Sequence, residues 1–288
     1  MVNIKLELDR LTSMLVSYHI LCAPTSMNRQ YNPDVFDNLS VSPEERGHYL
    51  TFLLSKGVAL NQTDSIRTSL FFPEARNLDD LFALYGNEVP NEIWNHLRAF
   101  EIRFNQYLEK VRARVDPLIQ SRTKESEDVI DRIYDLAQEF TGISIERPSE
   151  LEVRIVEGLS PSSRGGDVRD GRGYIVMQTS NFLNTAGVNY LLSLIHEAVA
   201  HQTVCGSRKH VRETFGEYIY DVEEGFAKLF SRKIAERILG REVNYAAEDG
   251  LQRTAYDTFN RNWSSLNGHN FTTWYKGCLT EIKVAFQE

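Results

Sequence analysis

Cysteine is scarce in this chain. Cys22, Cys205 and Cys278 are far apart and odd in number, so no disulfide framework, CxxC pair or thiolate zinc cluster can be assembled from them. Reduced thiols in a cytoplasmic protein are the expectation. Long apolar runs are missing as well. The longest, near Met14 to Ala23, is interrupted by Ser17 and His19 and falls short of the ~18 residues that cross a bilayer. The N-terminus, MVNIKLELDR, has no basic stretch followed by an apolar one, so no signal peptide is expected. Positive charge is not in excess either: 32 Lys+Arg against 40 Asp+Glu leaves a net −8. That balance argues against a general binder of nucleic acid or of anionic membrane. No internal repeat or low-complexity tract is visible.

What is present is 288 residues of ordinary globular composition, 42% hydrophobic and 25% charged. This is enough to bury a core without staples and suggests about two domains, or one with lobes. The first 120 residues read as mostly helical. Leu6 to Leu21 opens as an amphipathic helix, and Ala23 to Ser42, with Pro24 and Pro33, reads as irregular. Ser42-Pro43-Glu44-Glu45 has the signature of a helix start, with a Ser cap, Pro at the first helical position and acids in the first turn. Asn77 to Tyr85 reads as a short helix. Asn91 to Ile119 reads as a long one, with Ile93, Leu97, Phe100, Phe104, Leu108 and Val111 at helical spacing.

Ser121 to Thr141 reads as a further helix, after which the pattern changes. Leu151 to Val156 alternates as a strand does, Gly158 to Gly173 reads as a flexible loop, and Tyr174 to Thr179 as a second strand. Asn184 or Thr185 caps a very apolar helix, Ala186 to about Val204, with Gly206 placed for a left-handed stop. A helix from about 209 to 238 ends at Gly240, and two more follow, broken near Asn267-Gly268. The expected class is α+β, predominantly helical. The expected division is a helical lobe at 1–120, a core at 121–245 and C-terminal helices at 246–288.

The apolar helix carries His196-Glu197-Ala198-Val199-Ala200-His201. Two histidines and a glutamate in apolar surroundings are costly unless something satisfies them, and a metal would. Twenty-two residues after His201, the next helix carries Glu223-Glu224-Gly225-Phe226-Ala227. Two imidazoles and one carboxylate are the ligands of a catalytic zinc that keeps a fourth position open. Glu197 would then be the base that takes a proton from water. The spacing is HExxxH, one residue longer than HExxH. On a regular helix, i,i+4 partners lie about 40° apart and i,i+5 partners about 140° apart, so His196 and His201 could not share an ion. A one-residue π-bulge restores the match, and one is expected within Ala198 to Ala200. Without it, Glu197 and His201 form the i,i+4 pair and His196 points elsewhere.

HEAVAH followed by EEGFA resembles the zinc peptidases with an HExxxH motif. These include the microtubule-associated tyrosine carboxypeptidases with their bacterial relatives and, more distantly, dipeptidyl peptidase III and other gluzincins. The resemblance covers about 174–235. It implies a gluzincin-like core, a small sheet with an edge strand plus two motif helices, flanked by helices. It also implies one zinc ion per chain, with Glu224 rather than Glu223 as the third ligand beside His196 and His201. Peptide-bond hydrolysis with Glu197 as the catalytic base follows, carboxypeptidase-like, on a peptide or protein substrate. In such peptidases, an extended substrate adds to the strand just upstream of the first motif helix. This assigns Tyr174 and Val176 to substrate binding. Glu223, with Asp221, is placed to orient a zinc-bound histidine. One of Arg164, Arg169, Arg172, Arg208 or Arg212 would hold a substrate carboxylate. Tyr218, Tyr220, His210, Tyr256, His269 and Tyr275 are candidate donors to the oxyanion. Cys205 reads as a core residue at the helix end. Two other classes fit the same residues: an inactive zinc-containing binding module, and a helical interaction protein in which the motif is fortuitous. Neither nucleic acid nor membrane is expected as a partner, and nothing in the chain specifies an oligomeric state.

Overall fold

The computed structural model describes residues 2–22, 39–55, 75–158, 164–169, 171–184, 188–245, 247, 250–268 and 270–287. Most of the stretch expected to be irregular after Ala23, together with Thr185 and His269, lies outside them. The fold is α+β and predominantly helical, with a four-stranded sheet. The strands are β1 (Asn3–Leu8), β2 (Glu150–Val156), β3 (Arg164–Arg169) and β4 (Arg172–Gln178), in the order β1-β2-β4-β3. β1, β2 and β4 run parallel, with Leu6 opposite Val153 and Val153 opposite Ile175. β3 returns antiparallel on β4.

Three expectations change here. Leu6 does not open a helix. Asn3 to Leu8 alternates in exposure and forms an edge strand, and the first helix, α1, starts only at Arg10 and runs to Cys22. Asp9 makes that break, because its carboxylate accepts from the N–H and the hydroxyl of Thr12, both at 2.8 Å, the geometry of an N-cap. The segment expected to be a flexible loop contains β3. And β4 is not the edge of the sheet: Tyr174 faces Glu152 on one side and Asp167 on the other, and Val176 faces Arg154 and Gly165. Both residues of the expected substrate strand are therefore interior, and the edge on that side of the sheet belongs to β3.

The helical part begins with α2 (Pro43–Ser55). Its expected cap forms a closed box: the Ser42 N–H donates to Glu45 Oε2 at 2.7 Å and the Glu45 N–H to Ser42 Oγ at 3.1 Å. Next comes α3 (Leu78–Tyr85), capped by Asn77. The two helices expected at 91–119 and 121–141 are one, α4 (Asn91–Thr141), 51 residues long with Pro117 inside it. Proline removes one backbone donor, but Val111, Val115, Ile130 and Ile133 are buried on both sides of it, and this packing holds the helix continuous. α4 ends on Gly142 in a left-handed conformation. The boundary expected at 120/121 thus falls inside one helix, and β1 shares its sheet with the strands of the motif region.

One face of β2 is charged yet buried. Glu152 accepts from Arg76 Nη1 at 2.7 Å and Nη2 at 3.0 Å, and from Arg154 Nε at 2.7 Å. Arg154 Nη1 reaches Asp9 at 3.2 Å, and Arg76 also pairs with Glu7. These contacts tie β1, the cap of α1 and β2 together. Burial pushes the Glu152 carboxyl up, but the two guanidiniums outweigh it and bring it to about 2 from an ordinary 4.5. A depressed carboxylate stabilises the fold fully above its unfolded value, and that contribution fades as pH falls through the folded one. Acid titration of stability is therefore expected to lose on the order of 3 kcal/mol between pH 4.5 and about 2 through this residue. Glu152→Gln should flatten that part of the curve in urea melts read by circular dichroism.

Candidate metal centre

The apolar segment after β4 starts with α5 (Thr179–Leu183) and α6 (Val188–Ile195). It continues without a break through a π-helical stretch, His196–Ala200, into α7 (His201–Cys205). The expected bulge is present, and it includes the first histidine. Its effect is to bring i,i+5 partners to one side of the helix: His196 Nε2 and His201 Nε2 are 3.0 Å apart, with ring centroids separated by 4.7 Å. The helix is interrupted at Gly206, which is right-handed (φ −64°), not the expected left-handed stop. The helix expected from 209 is also divided, into α8 (Arg208–Phe215), a 3-10 turn at Gly216–Tyr218, and α9 (Ile219–Leu239). Gly216 carries the break at φ 59° and ψ −121°, a conformation essentially reserved for glycine. α9 ends on Gly240, left-handed as expected.

Glu224 projects from α9 onto the two histidines. Its Oε2 is 3.4 Å from His196 Nε2 and its Oε1 3.3 Å from His201 Nε2. Among the described residues these three form the group able to hold a metal ion, each with a ligand atom within 4.8 Å of the others. An ion bonded at about 2.0–2.1 Å in a tetrahedral site has ligand atoms about 3.3 Å apart. The two imidazole nitrogens are 3.0 Å apart, and each faces its own Glu224 oxygen at 3.4 and 3.3 Å, so each pair lies close to the length of such an edge. Glu197 lies beside the group without joining it, its Oε1 3.9 Å from His196 Nε2. His196, Glu197 and Glu224 are buried, while the His201 side chain is 24% exposed and marks the open side.

The electrostatics favour a cation. Burial opposes charge on Glu224, yet His196 and His201 hold it well below the ordinary carboxylate range. Burial would lower His201, but Glu224 first, then Glu197 and Glu223, raise it instead. Glu223 is raised by burial against the pull of Arg208 and His201. Glu224 thus meets two imidazoles in a buried site with Glu197 beside it, a donor set that could hold a cation.

Glu223 does not hydrogen-bond a histidine, contrary to expectation. Both its oxygens accept from Arg208 Nε at 3.2 Å, so its influence on His201 is electrostatic. Arg208 is in turn engaged with Glu223. Arg172 is exposed at the start of β4 and Arg212 is exposed on α8, while the side chains of Arg164 and Arg169 lie outside the description. Of the candidate oxyanion donors, Tyr256 accepts from Arg232 at 2.9 Å. Tyr275 is fully buried between Phe259 and Phe271. Tyr218 and Tyr220 are exposed, with Tyr218 against Phe286, and His210 is half-buried on α8. The tyrosine that stands against the centre is Tyr245, edge-on to His196 with centroids 6.5 Å apart. It follows Gly240 in an irregular stretch whose sequence offers no signal for it. Cys205, expected in the core, is exposed.

The orientation of α9 is set by its opposite face. Phe226 packs within a cluster of Phe230, Phe259 and Tyr275, with centroids 5.3, 5.3 and 5.4 Å away. Gly225 lets α10 (Leu251–Arg261) approach closely. A Cβ there would lie 2.7 Å from the Gln252 carbonyl oxygen, 2.8 Å from Ala255 Cβ and 3.0 Å from the Tyr256 nitrogen. No known protein family, characterised protein or solved structure matches the chain.

Gly225→Ala should therefore force the two helices apart. Overpacking of this kind costs about 1–3 kcal/mol, expected as a lower thermal midpoint by calorimetry and weaker metal retention than in the parent.

Proposed function

We propose that the chain is a zinc-dependent peptidase whose centre is His196, His201 and Glu224, with Glu197 as its general base. The observation that carries this reading is the π-helical stretch. It brings both histidines to one side of their helix, where Glu224 meets them, and Glu197 lies adjacent but outside that group. Zinc suits two imidazoles and a carboxylate, and when bound it supplies a Lewis acid that polarises a carbonyl and makes water acidic.

The protein's own groups supply the rest. Glu197 takes the proton of the attacking water at a carboxylate oxygen and returns it to the leaving amine nitrogen. Its burial beside His196 keeps that proton from exchanging freely with solvent. Tyr245, whose ring stands against His196, donates a hydrogen bond from its hydroxyl to the carbonyl oxygen as charge develops there, keeping its proton. β3, at the end of the sheet and packed near the π-helical stretch, offers the edge on which an extended peptide adds as a further strand. The exposed side of His201 is the approach for the scissile bond.

Glu197→Gln should keep one zinc per chain and lower kcat by about 10²–10⁴-fold, the usual worth of a general base. His201→Ala or Glu224→Ala should lose the ion. Metal content is read by elemental analysis and turnover by mass spectrometry of products from a mixed peptide library, with and without chelator. Zinc bound with no product from any peptide would instead identify a non-catalytic zinc module, and no stoichiometric zinc would sink the scheme. Tyr245→Phe should reduce kcat while leaving KM and zinc content close to the parent's, and an unchanged kcat would remove Tyr245 from the mechanism.

A further inference from the structure

We propose a second metal site, formed by residues outside the His196 group, for a divalent ion that prefers imidazole, such as nickel, copper or zinc. It is formed by His48 on α2 and His96 on α4. The two rings face each other across the helix pair, with His48 Nδ1 2.9 Å from His96 Nε2, centroids 5.2 Å apart and planes inclined at 32°. Two nitrogens each bonded to one ion at about 2.1 Å lie about 3.0 Å apart at a right angle and about 3.4 Å apart in a tetrahedron. The pair already stands at the spacing of adjacent ligands, and admitting an ion needs little movement of either helix. Without an ion, one ring donates to the other in a solvent-facing hydrogen bond, worth only about 1 kcal/mol, which offers little resistance to replacement.

The surroundings supply further ligands of the right kind. Glu44 lies four residues before His48 and Glu92 four residues before His96, so each carboxylate shares its histidine's helix face. Both are exposed and take part in no hydrogen bond or ion pair among the described residues. Neither carboxylate has already converged, since the group of three ligands found among the described residues is the one at His196. They complete the set by turning flexible side chains toward the ion. The acids that arginines already hold are different ones: Arg103 pairs with Glu45 and Arg98 with Asp79. Imidazole with carboxylate suits nickel, copper and zinc, and not magnesium or calcium. Bound there, the ion ties α2 to the long helix.

The experiment is equilibrium dialysis of the full chain, stripped of metal, against micromolar nickel chloride, comparing the parent with His48→Gln and His96→Gln. Each variant should bind one equivalent fewer than the parent, whatever number the His196 centre takes, so the result does not depend on the peptidase reading. Nickel should also raise the parent's thermal midpoint by more than it raises either variant's. With chelator present all three should melt alike, which separates loss of a ligand from loss of the fold. Equal nickel counts in all three proteins would overturn the site, as would a loss confined to one of the two variants.

Discussion

The site depends on one inserted residue in a buried helix. Between His196 and Ala200 the backbone widens to π-helical geometry, and the smaller rotation per residue brings His201 back beside His196. Without it the two rings would point about 140° apart. Each would then need its own partner in an apolar interior, where unsatisfied polar groups cost several kcal/mol. The residues between them are Ala198, Val199 and Ala200 beside Glu197, all buried. Two alanines and a β-branched valine leave room for the widened turn. The insertion is thus both the cause of the convergence and the condition under which two histidines and a glutamate are tolerated in that helix.

Much of this was legible in the chain itself, because it follows from arithmetic. HExxxH cannot place two ligands on one face of a regular helix, so a bulge was the geometry consistent with a shared ion, and the structure has it. The strands were harder to read. β3 is Arg-Gly-Gly-Asp-Val-Arg, with a single large apolar residue. Alternation cannot signal a strand whose role is to pair its backbone with β4. β1 has the alternation, but it runs straight into the apolar α1, and the two merge unless Asp9 is recognised as a cap. The two helices expected to meet near residue 120 are one from Asn91 to Thr141, because Val111, Val115, Ile130 and Ile133 continue the buried face across that point. Tyr245 left no trace because its position depends on where the chain goes after Gly240, which no local pattern encodes.

The sheet against which the centre's helix packs is held together by charge as well as by its backbone ladder. Glu152 and Arg154 are buried on β2 and bonded to Arg76 and Asp9, a paired network whose members would each be costly alone. It joins the first strand to the third element of the motif region, so the N-terminal stretch is part of the platform on which the π-helical helix rests. That helix touches both β3 and β4.

The choice between Glu223 and Glu224 shows how the rest of the molecule defines the ligand set. Adjacent residues on a helix point about 100° apart, so a single rotation of α9 would exchange their roles. One orientation is selected from behind. Gly225 sits against the backbone of α10 where no Cβ fits, and Phe226 fills the aromatic cluster beyond it. With those two positions fixed, Glu224 can only face the histidines, and Glu223 falls to Arg208. The two glutamates are chemically identical and their difference is wholly environmental: one is held ionised by imidazoles, the other raised by burial beside its guanidinium. The Glu-Glu-Gly-Phe run therefore works as one unit, in which the last two residues aim the first two.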